Sequence, residues 1–248
     1  MSKTVFITGA SSGIGRATTK LLFDQGYQIV ACGRREDRLR ELREELGERI
    51  HTLAFDVRNR EAVIAAVASL PAQFNQVDVL INNAGNAHGL DPIQSGNVDD
   101  WDAMLDINVK GLLYVTKALL PALMKSENPH ILNIGSTAGK EVYPGGNVYC
   151  ASKHAVDALN TGIRMDLNGT GIRVGTIHPG LVETEFSMVR FKGDTARATK
   201  VYQGYTPLTP EDVAESVWFA LNQPKHVNIT EIVLMPTAQA SNTIVHKT

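Results

Sequence analysis

Short apolar runs at residues 4–8, 28–32, 51–55, 77–82, 130–135, 173–178 and 231–235 alternate with stretches whose apolar residues recur at helical spacing. The runs are β-branched and bounded by turn residues, so they predict seven strands separated by amphipathic helices. Strand–helix alternation of this kind requires a parallel sheet with helices on both faces. The result is an α/β, doubly wound fold whose ligand crevice lies at the carboxyl ends of the strands. A turn-rich stretch at 206–210 precedes a further helix at 211–221, and the longest connection, 180–206, carries Arg190, Lys192, Arg197 and Lys200 beside the expected crevice as a substrate lid. One domain spans 1–248, without repeat or low-complexity segment.

The first strand breaks into Gly9-Ala10-Ser11-Ser12-Gly13-Ile14-Gly15 and then an amphipathic helix. Glycines permit a sharp turn and a close approach to a pyrophosphate, and a helix N-terminus supplies free N–H groups and positive dipole. The backbone from Gly9 through Ser11, Ser12, Gly13 and Ile14 to Gly15 is therefore a candidate dinucleotide-binding turn. Its spacing is G-x-x-x-G-x-G rather than G-x-G-x-x-G. The second strand ends in Gly33-Arg34-Arg35, with the first acid, Glu36, opening the next helix. A ribose 2′-OH is ordinarily held by a carboxylate at this place, whereas a 2′-phosphate calls for guanidinium. The expected cofactor is NADP(H).

Tyr149 and Lys153 are one helical turn apart, and Ser136 precedes the tyrosine by thirteen residues. Residues at i and i+4 share a helix face. A phenol ionises near pH 10 in water, but an ammonium about 4 Å away stabilises the phenolate by roughly 4 kcal/mol at an effective dielectric of 20. That corresponds to about three pKa units, enough to make Tyr149 a working acid/base. Ser136, at a strand end, would orient the reacting oxygen.

Composition narrows the rest. A net charge of −2 and 43% apolar content over 248 residues point to one large core, without the basic excess of a nucleic-acid or anionic-membrane binder. No apolar run reaches membrane-spanning length. Met1-Ser2-Lys3 leads directly into strand residues, leaving no room for a signal peptide and suggesting a cytoplasmic enzyme. Cys32 and Cys150 read as buried packing residues, and the seven histidines show no zinc-ligand spacing, so no metal is expected. His178 either touches the cofactor edge or is a structural histidine.

These motifs resemble the short-chain dehydrogenase/reductase family over nearly the whole chain: Thr8-Gly9-x-x-x-Gly13-x-Gly15, Asp56-Val57, Asn82-Asn83-Ala84-Gly85, Asn108, Ser136, Tyr149-x-x-x-Lys153, and Pro179-Gly180 followed by Thr184. The resemblance implies a Rossmann-type fold and a catalytic set of Asn108, Ser136, Tyr149 and Lys153. It implies cofactor contacts from the glycine turn, Arg34, Arg35, Asp56, Val57, Asn83, Tyr149, Lys153, Pro179, Gly180, Val182 and Thr184. Asn108 would hold a water relaying protons from Lys153, or would serve a kinked helix. A homotetramer is implied too, packed through the helix bearing Ala151, Ala155, Ala158 and Gly162; packing on the chain's own sheet would use the same residues.

Residues 135–139, 145–149 and 184–194 resemble the NADP-dependent 3-hydroxy acid dehydrogenases, which include serine and L-allo-threonine dehydrogenases. The substrate class implied is a small 3-hydroxy acid, bound by Ser136, Tyr149 and Arg190. Arg190 would meet the carboxylate, or else solvent or a cofactor phosphate. A broad carbonyl or 3-oxoacyl-carrier-protein reductase is the alternative, and a non-catalytic NADP(H) sensor a more distant one.

Overall fold

The computed structural model describes residues 3–248. Met1 and Ser2, on which part of the signal-peptide reading rests, lie outside the described residues. Seven strands form one sheet: β1 (Thr4–Thr8), β2 (Gln28–Gly33), β3 (Ile50–Ala54), β4 (Val77–Asn82), β5 (His130–Ile134), β6 (Arg173–Pro179) and β7 (Glu231–Leu234). Their order is β3-β2-β1-β4-β5-β6-β7, and every pairing is parallel. The expected strands hold to within a residue at either end. β6 runs one residue further than expected because Pro179, which has no N–H, still pairs with Leu234, and Gly180 N–H donates onward to Leu234 O at 2.8 Å.

Both faces of the sheet are covered, as the fully buried runs of β1, β5 and β6 require. Val5, Ile7, Leu132 and Ile177 pack on one side with α1 (Gly13–Asp24) and α9 (Pro210–Leu221). Phe6, Val30, Leu80 and Ile131 pack on the other with residues of α3 (Arg60–Ala68) and α5 (Leu112–Leu123). The start of α9 is set by Thr209, whose side chain accepts from Asp212 N–H while Asp212 accepts from Thr209 N–H, with Pro210 in the first turn.

A row of amides crosses the sheet. Asn82 Nδ2 donates to Thr116 Oγ1 and to Asn133 Oδ1, both at 3.0 Å, and Asn133 Nδ2 donates to Asn160 Oδ1 at 3.0 Å. Asn82 and Asn133 are cross-strand partners of β4 and β5, so the row joins α5 through the sheet to α6 (Asn147–Asp166).

Two segments differ from the sequence reading. The connection at 180–206 is not an open loop: it folds into α7 (Phe186–Arg190) and α8 (Thr195–Val201). Asp194 accepts from Arg197 N–H at 3.0 Å to start α8, and Lys192 (φ 53°) with Gly193 (φ 90°) breaks the two helices apart. Upstream, α4 (Val98–Leu105) passes through a π turn, Asp106–Gly111, directly into α5. Asn108 lies within that turn, as expected of a kinked helix, and such turns often mark functional sites.

Candidate active site

A crevice of about 560 Å³ opens at the carboxyl ends of the strands and is lined from β1, β2, β4, β5, β6 and the α7–α8 segment. It sits where the strand order reverses between β1 and β4, the expected place for a ligand in an open α/β sheet.

The floor is built by the glycine turn. Gly9 has φ 67°, and a Cβ there would meet Asn83 Nδ2 at 2.8 Å. A Cβ on Gly15 would come within 2.3 Å of Gly9 O. Gly15 does not line the crevice, so its part is to let α1 pack under the turn rather than to touch a cofactor. Gly9, Ser11, Ser12, Gly13 and Ile14 do line it. Thr8 and Asn83 lock the turn to the β4 loop: Thr8 Oγ1 accepts from Asn83 and Ala84 N–H at 3.0 and 2.9 Å, and Asn83 Nδ2 donates to Thr8 O at 2.9 Å. The N-terminus of α1 has no side-chain cap bond from Ser12 and no acid in its first turn, so its donors and dipole face the crevice uncompensated.

Arg34 and Arg35 both line the crevice beyond the tip of β2, with Asp56 and Val57. Their situations differ. Arg35 is tied to the α7 side by Glu185, at 2.8 Å, and Arg38 reaches the same carboxylate at 3.3 Å. The hydrogen bond from Arg35 holds the Glu185 carboxyl below its usual range. Arg34 forms no ion pair among the described residues. Burial raises the Asp56 carboxyl, but hydrogen bonds from Arg58 outweigh it and hold the group low.

At the far end, Ser136, Tyr149 and Lys153 line the same crevice, with Pro179, Gly180, Val182 and Thr184 opposite. Tyr149 and Lys153 share a face of α6, as their spacing requires. The charge relation is not the one the spacing suggested. Burial pushes the Tyr149 phenol well above its ordinary value, and the neighbouring Tyr143 adds to this; the groups opposing are the Ser136 side chain and the Arg190 guanidinium. Burial also lowers the Lys153 ammonium to about 8, and its Nζ donates to Ile134 O at 3.0 Å. With its Nζ turned to a carbonyl, Lys153 is not among the groups that act on the phenol. The lowering expected of Lys153 is thus absent from the protein alone.

Asn108 is buried behind the lining, not in it. Its Nδ2 donates to Asn86 O and Ser152 Oγ, both at 2.9 Å, and its Oδ1 accepts from Asn86 N–H at 2.9 Å. A Cβ on Gly85 would stand 3.5 Å from Lys153 Nζ and 3.0 Å from Asn108 Oδ1, so Gly85 leaves these two groups their room. His178 is fully buried and outside the lining, against the Ser136 backbone.

Arg190, on α7, reaches over the tyrosines. Nε donates to Gly89 O and Nη1 to Tyr143 Oη, each at 2.9 Å, and its Cζ lies 5.6 Å from the Tyr149 ring centre. Nη2 is buried and has no partner. A solvated loop arginine is excluded by this geometry. Lys192, by contrast, pairs with Asp100 at 2.8 Å.

Several lining residues had no sequence signal. Tyr143, Phe186 and Tyr202 are single aromatics in irregular stretches, and Gln239 and Asn242 come from the C-terminal tail. Gln239 Oε1 accepts from Leu181 N–H at 2.9 Å, and Asn242 Oδ1 accepts from Thr137 Oγ1 at 2.6 Å. Of these, Phe186 alone falls in a stretch, 184–194, that the resemblance marked.

The family model for short chain dehydrogenases matches residues 3–195. The chain is 48% identical over 237 residues to the NADP-dependent 3-hydroxy acid dehydrogenase YdfG of Escherichia coli strain K12, covering 95% of this chain and 96% of that one. It is 46% identical over 243 residues to sulfoacetaldehyde reductase 2 of Chromohalobacter salexigens, covering 97% and 96%. Among solved structures, the closed form of a serine dehydrogenase complexed with NADP+ superposes with a TM-score of 0.95 at 47% identity, covering 99% of this chain and all of that one.

Proposed function

The chain belongs to the short-chain dehydrogenase family, and from that premise we propose that it is an NADP-dependent oxidoreductase interconverting a small 3-hydroxy acid and its 3-oxo acid or semialdehyde. The observation that carries the substrate class is the buried, unpartnered Nη2 of Arg190 above Tyr149. A buried guanidinium edge with a free donor favours an anionic group on the substrate. Two relatives fit this reading: one is named for 3-hydroxy acids, the other for sulfoacetaldehyde, whose sulfonate is likewise an anion close to the carbonyl.

The residues present suit NADP(H). The turn from Gly9 to Ile14 and the uncapped start of α1 would hold the pyrophosphate, and Arg34, free of any ion pair among the described residues, would meet the 2′-phosphate. When bound, the cofactor supplies or accepts the hydride. Ser136 orients the substrate oxygen. Tyr149 Oη exchanges its proton with that oxygen, giving it in reduction and taking it in oxidation. Lys153 carries the proton onward, its value of about 8 placing both of its forms within reach at mild pH. Asn108 fixes the Asn86 backbone and Ser152 behind this set. Phe186 packs on Tyr149, ring centres 5.6 Å apart, and shields the pair from water.

A purified-enzyme panel of serine, 3-hydroxyisobutyrate, malonic semialdehyde, sulfoacetaldehyde, neutral ketones and 3-oxoacyl thioesters tests the reading, run with wild type and Arg190→Leu. Hydroxy acids should be preferred, and the substitution should raise their KM at least about tenfold while sparing neutral carbonyls. Equal effects on both classes would remove Arg190 from substrate recognition. Preference for thioesters would make the protein an acyl-carrier reductase, and no turnover on any alcohol or carbonyl would make it a sensor. The assembly proposed is a homotetramer. α6 buries Tyr149, Cys150, Ser152, Lys153, Val156 and Asn160, while Ala151 and Ala158 are exposed and Ala155 and Gly162 half-buried, so the small residues are available to a second copy. Light scattering that finds a monomer would overturn it.

A further inference from the structure

Behind Ser136, away from the crevice, four charged or titratable side chains from four segments converge. His178 comes from β6, Asp157 from α6, Glu231 from β7, and Lys140 from the turn after Thr137–Gly139. The ligand atoms of Asp157, His178 and Glu231 lie within 4.8 Å of one another, a donor set a divalent cation takes. Lys140 Nζ, however, is 3.0 Å from Asp157 Oδ1 and 2.7 Å from Glu231 Oε1, the same two oxygens that face His178 Nε2. The ammonium already fills the cation's place.

The imidazole is fully buried, and its two nitrogens have different neighbours. Nε2 has no hydrogen-bond partner and stands 3.4 Å from Asp157 Oδ1 and 3.7 Å from Glu231 Oε1. Nδ1 stands 3.3 Å from Ser136 N and 3.0 Å from Ser136 O. Two carboxylates repel a lone pair and attract a proton, so the neutral ring carries its hydrogen on Nε2. Nδ1 is then an acceptor, and the Ser136 N–H is its donor. The ring lies flat on Gly135: a Cβ there would meet Nδ1 at 2.5 Å and Cε1 at 2.7 Å.

We propose that His178 is a positioning residue for Ser136, the neutral Nε2–H imidazole holding the serine by its backbone N–H so that the hydroxyl faces Tyr149. A proton added at Nδ1 replaces the acceptor with a donor aimed at Ser136 O, and the N–H loses its partner. The hold is therefore made on the alkaline side of the histidine and given up on the acid side. Burial lowers the imidazole below its usual value; the Ser136 backbone, Glu231 and Asp157 favour the cation and Lys140 opposes it.

This rests on the catalytic reading of Ser136, and the test separates the two. Nitrogen-15 spectra of histidine-labelled protein report the tautomer without any turnover: the neutral ring should be protonated on Nε2, and Nδ1 protonation would overturn the proposal whatever the enzyme does. Kinetically, His178→Leu should lower kcat about tenfold or more with NADPH affinity unchanged. His178→Asn, whose amide oxygen takes the place of Nδ1 and does not titrate, should restore most of kcat and flatten the acid limb expected of wild type below the ordinary histidine range. Gly135→Ala, which displaces the ring sterically, should reproduce the leucine variant. A leucine variant with wild-type kcat, an asparagine variant that fails to recover, or one that keeps the wild-type acid limb would each refute it.

Discussion

Replacing Lys153 by methionine should make the protein more stable at neutral pH while destroying its activity. The ammonium is buried, and its fall from 10.5 to about 8 has desolvation as its cause. At about 1.4 kcal/mol per pH unit, that gap is a cost of roughly 3 kcal/mol while the group stays charged in both folded and unfolded chains. Methionine keeps most of the side-chain length without the charge, but it abandons the hydrogen bond to Ile134 O, a loss of about 1 kcal/mol. The net gain at pH 7 is thus about 2 kcal/mol. Between pH 8 and 10.5 the unfolded chain holds the proton that the folded one has released, so wild-type stability rises with pH across that window. From pH 7 to pH 10 this recovers roughly 2 kcal/mol, and the advantage of the methionine variant should vanish. Urea unfolding of both proteins at pH 7 and pH 10, at one protein concentration, measures the difference; other groups titrate alike and cancel. A variant no more stable than wild type at pH 7, or a gap that does not close by pH 10, would show that Lys153 is not stored as a strained cation.

Three further outcomes are expected. Tyr149→Phe should abolish turnover and leave the Kd for NADPH within about twofold, because the ring and its contact with Phe186 persist while the proton carrier is gone; fluorescence titration checks binding. Arg34→Ala should lower kcat/KM for NADPH by about tenfold or more and leave that for NADH unchanged, since one charge-assisted pair is worth about 1.5–3 kcal/mol; parallel losses with both cofactors would argue against a phosphate contact. His130 is buried with neither ring nitrogen partnered, and burial takes it to about 3. Its folded pKa lies below the unfolded 6.5, so stability falls as pH drops from 6.5 toward 3, and His130→Leu should gain on wild type progressively over that range in acid denaturation.

The strands and the crevice at their carboxyl ends were legible because their signals are local. An apolar run bounded by glycine or proline, and a helix period after it, need nothing but neighbours in sequence. The glycine spacing is read from neighbours too, and Gly15 is demanded by Gly9 O six residues before it, although the contact that demands Gly9 comes from Asn83 across the sheet. What local reading could not supply were relations between distant segments. Arg35 is a cation at a strand tip in the sequence, but only the fold places Glu185 beside it. Tyr149 and Lys153 were correctly put on one face, yet the charge on each depends on how much water the rest of the chain removes. That sum comes from residues as far apart as Ile134 and Arg190, and no spacing rule contains it. The convergence of Asp157, His178 and Glu231 was invisible for the same reason: no pair of them lies close enough in sequence to suggest a cluster.

The amide row from Thr116 to Asn160 has a consequence for precision. Side chains alternate faces along a strand, so sliding β4 against β5 by one residue would turn Asn82 into the opposite apolar layer and strand Asn133 without a partner. Correct alignment is therefore enforced by a penalty on every alternative, just one residue ahead of Asn83 and three ahead of Ser136. The strand tips that carry Asn83 and Ser136 into the crevice are thereby kept in step by a key cut into the middle of the sheet.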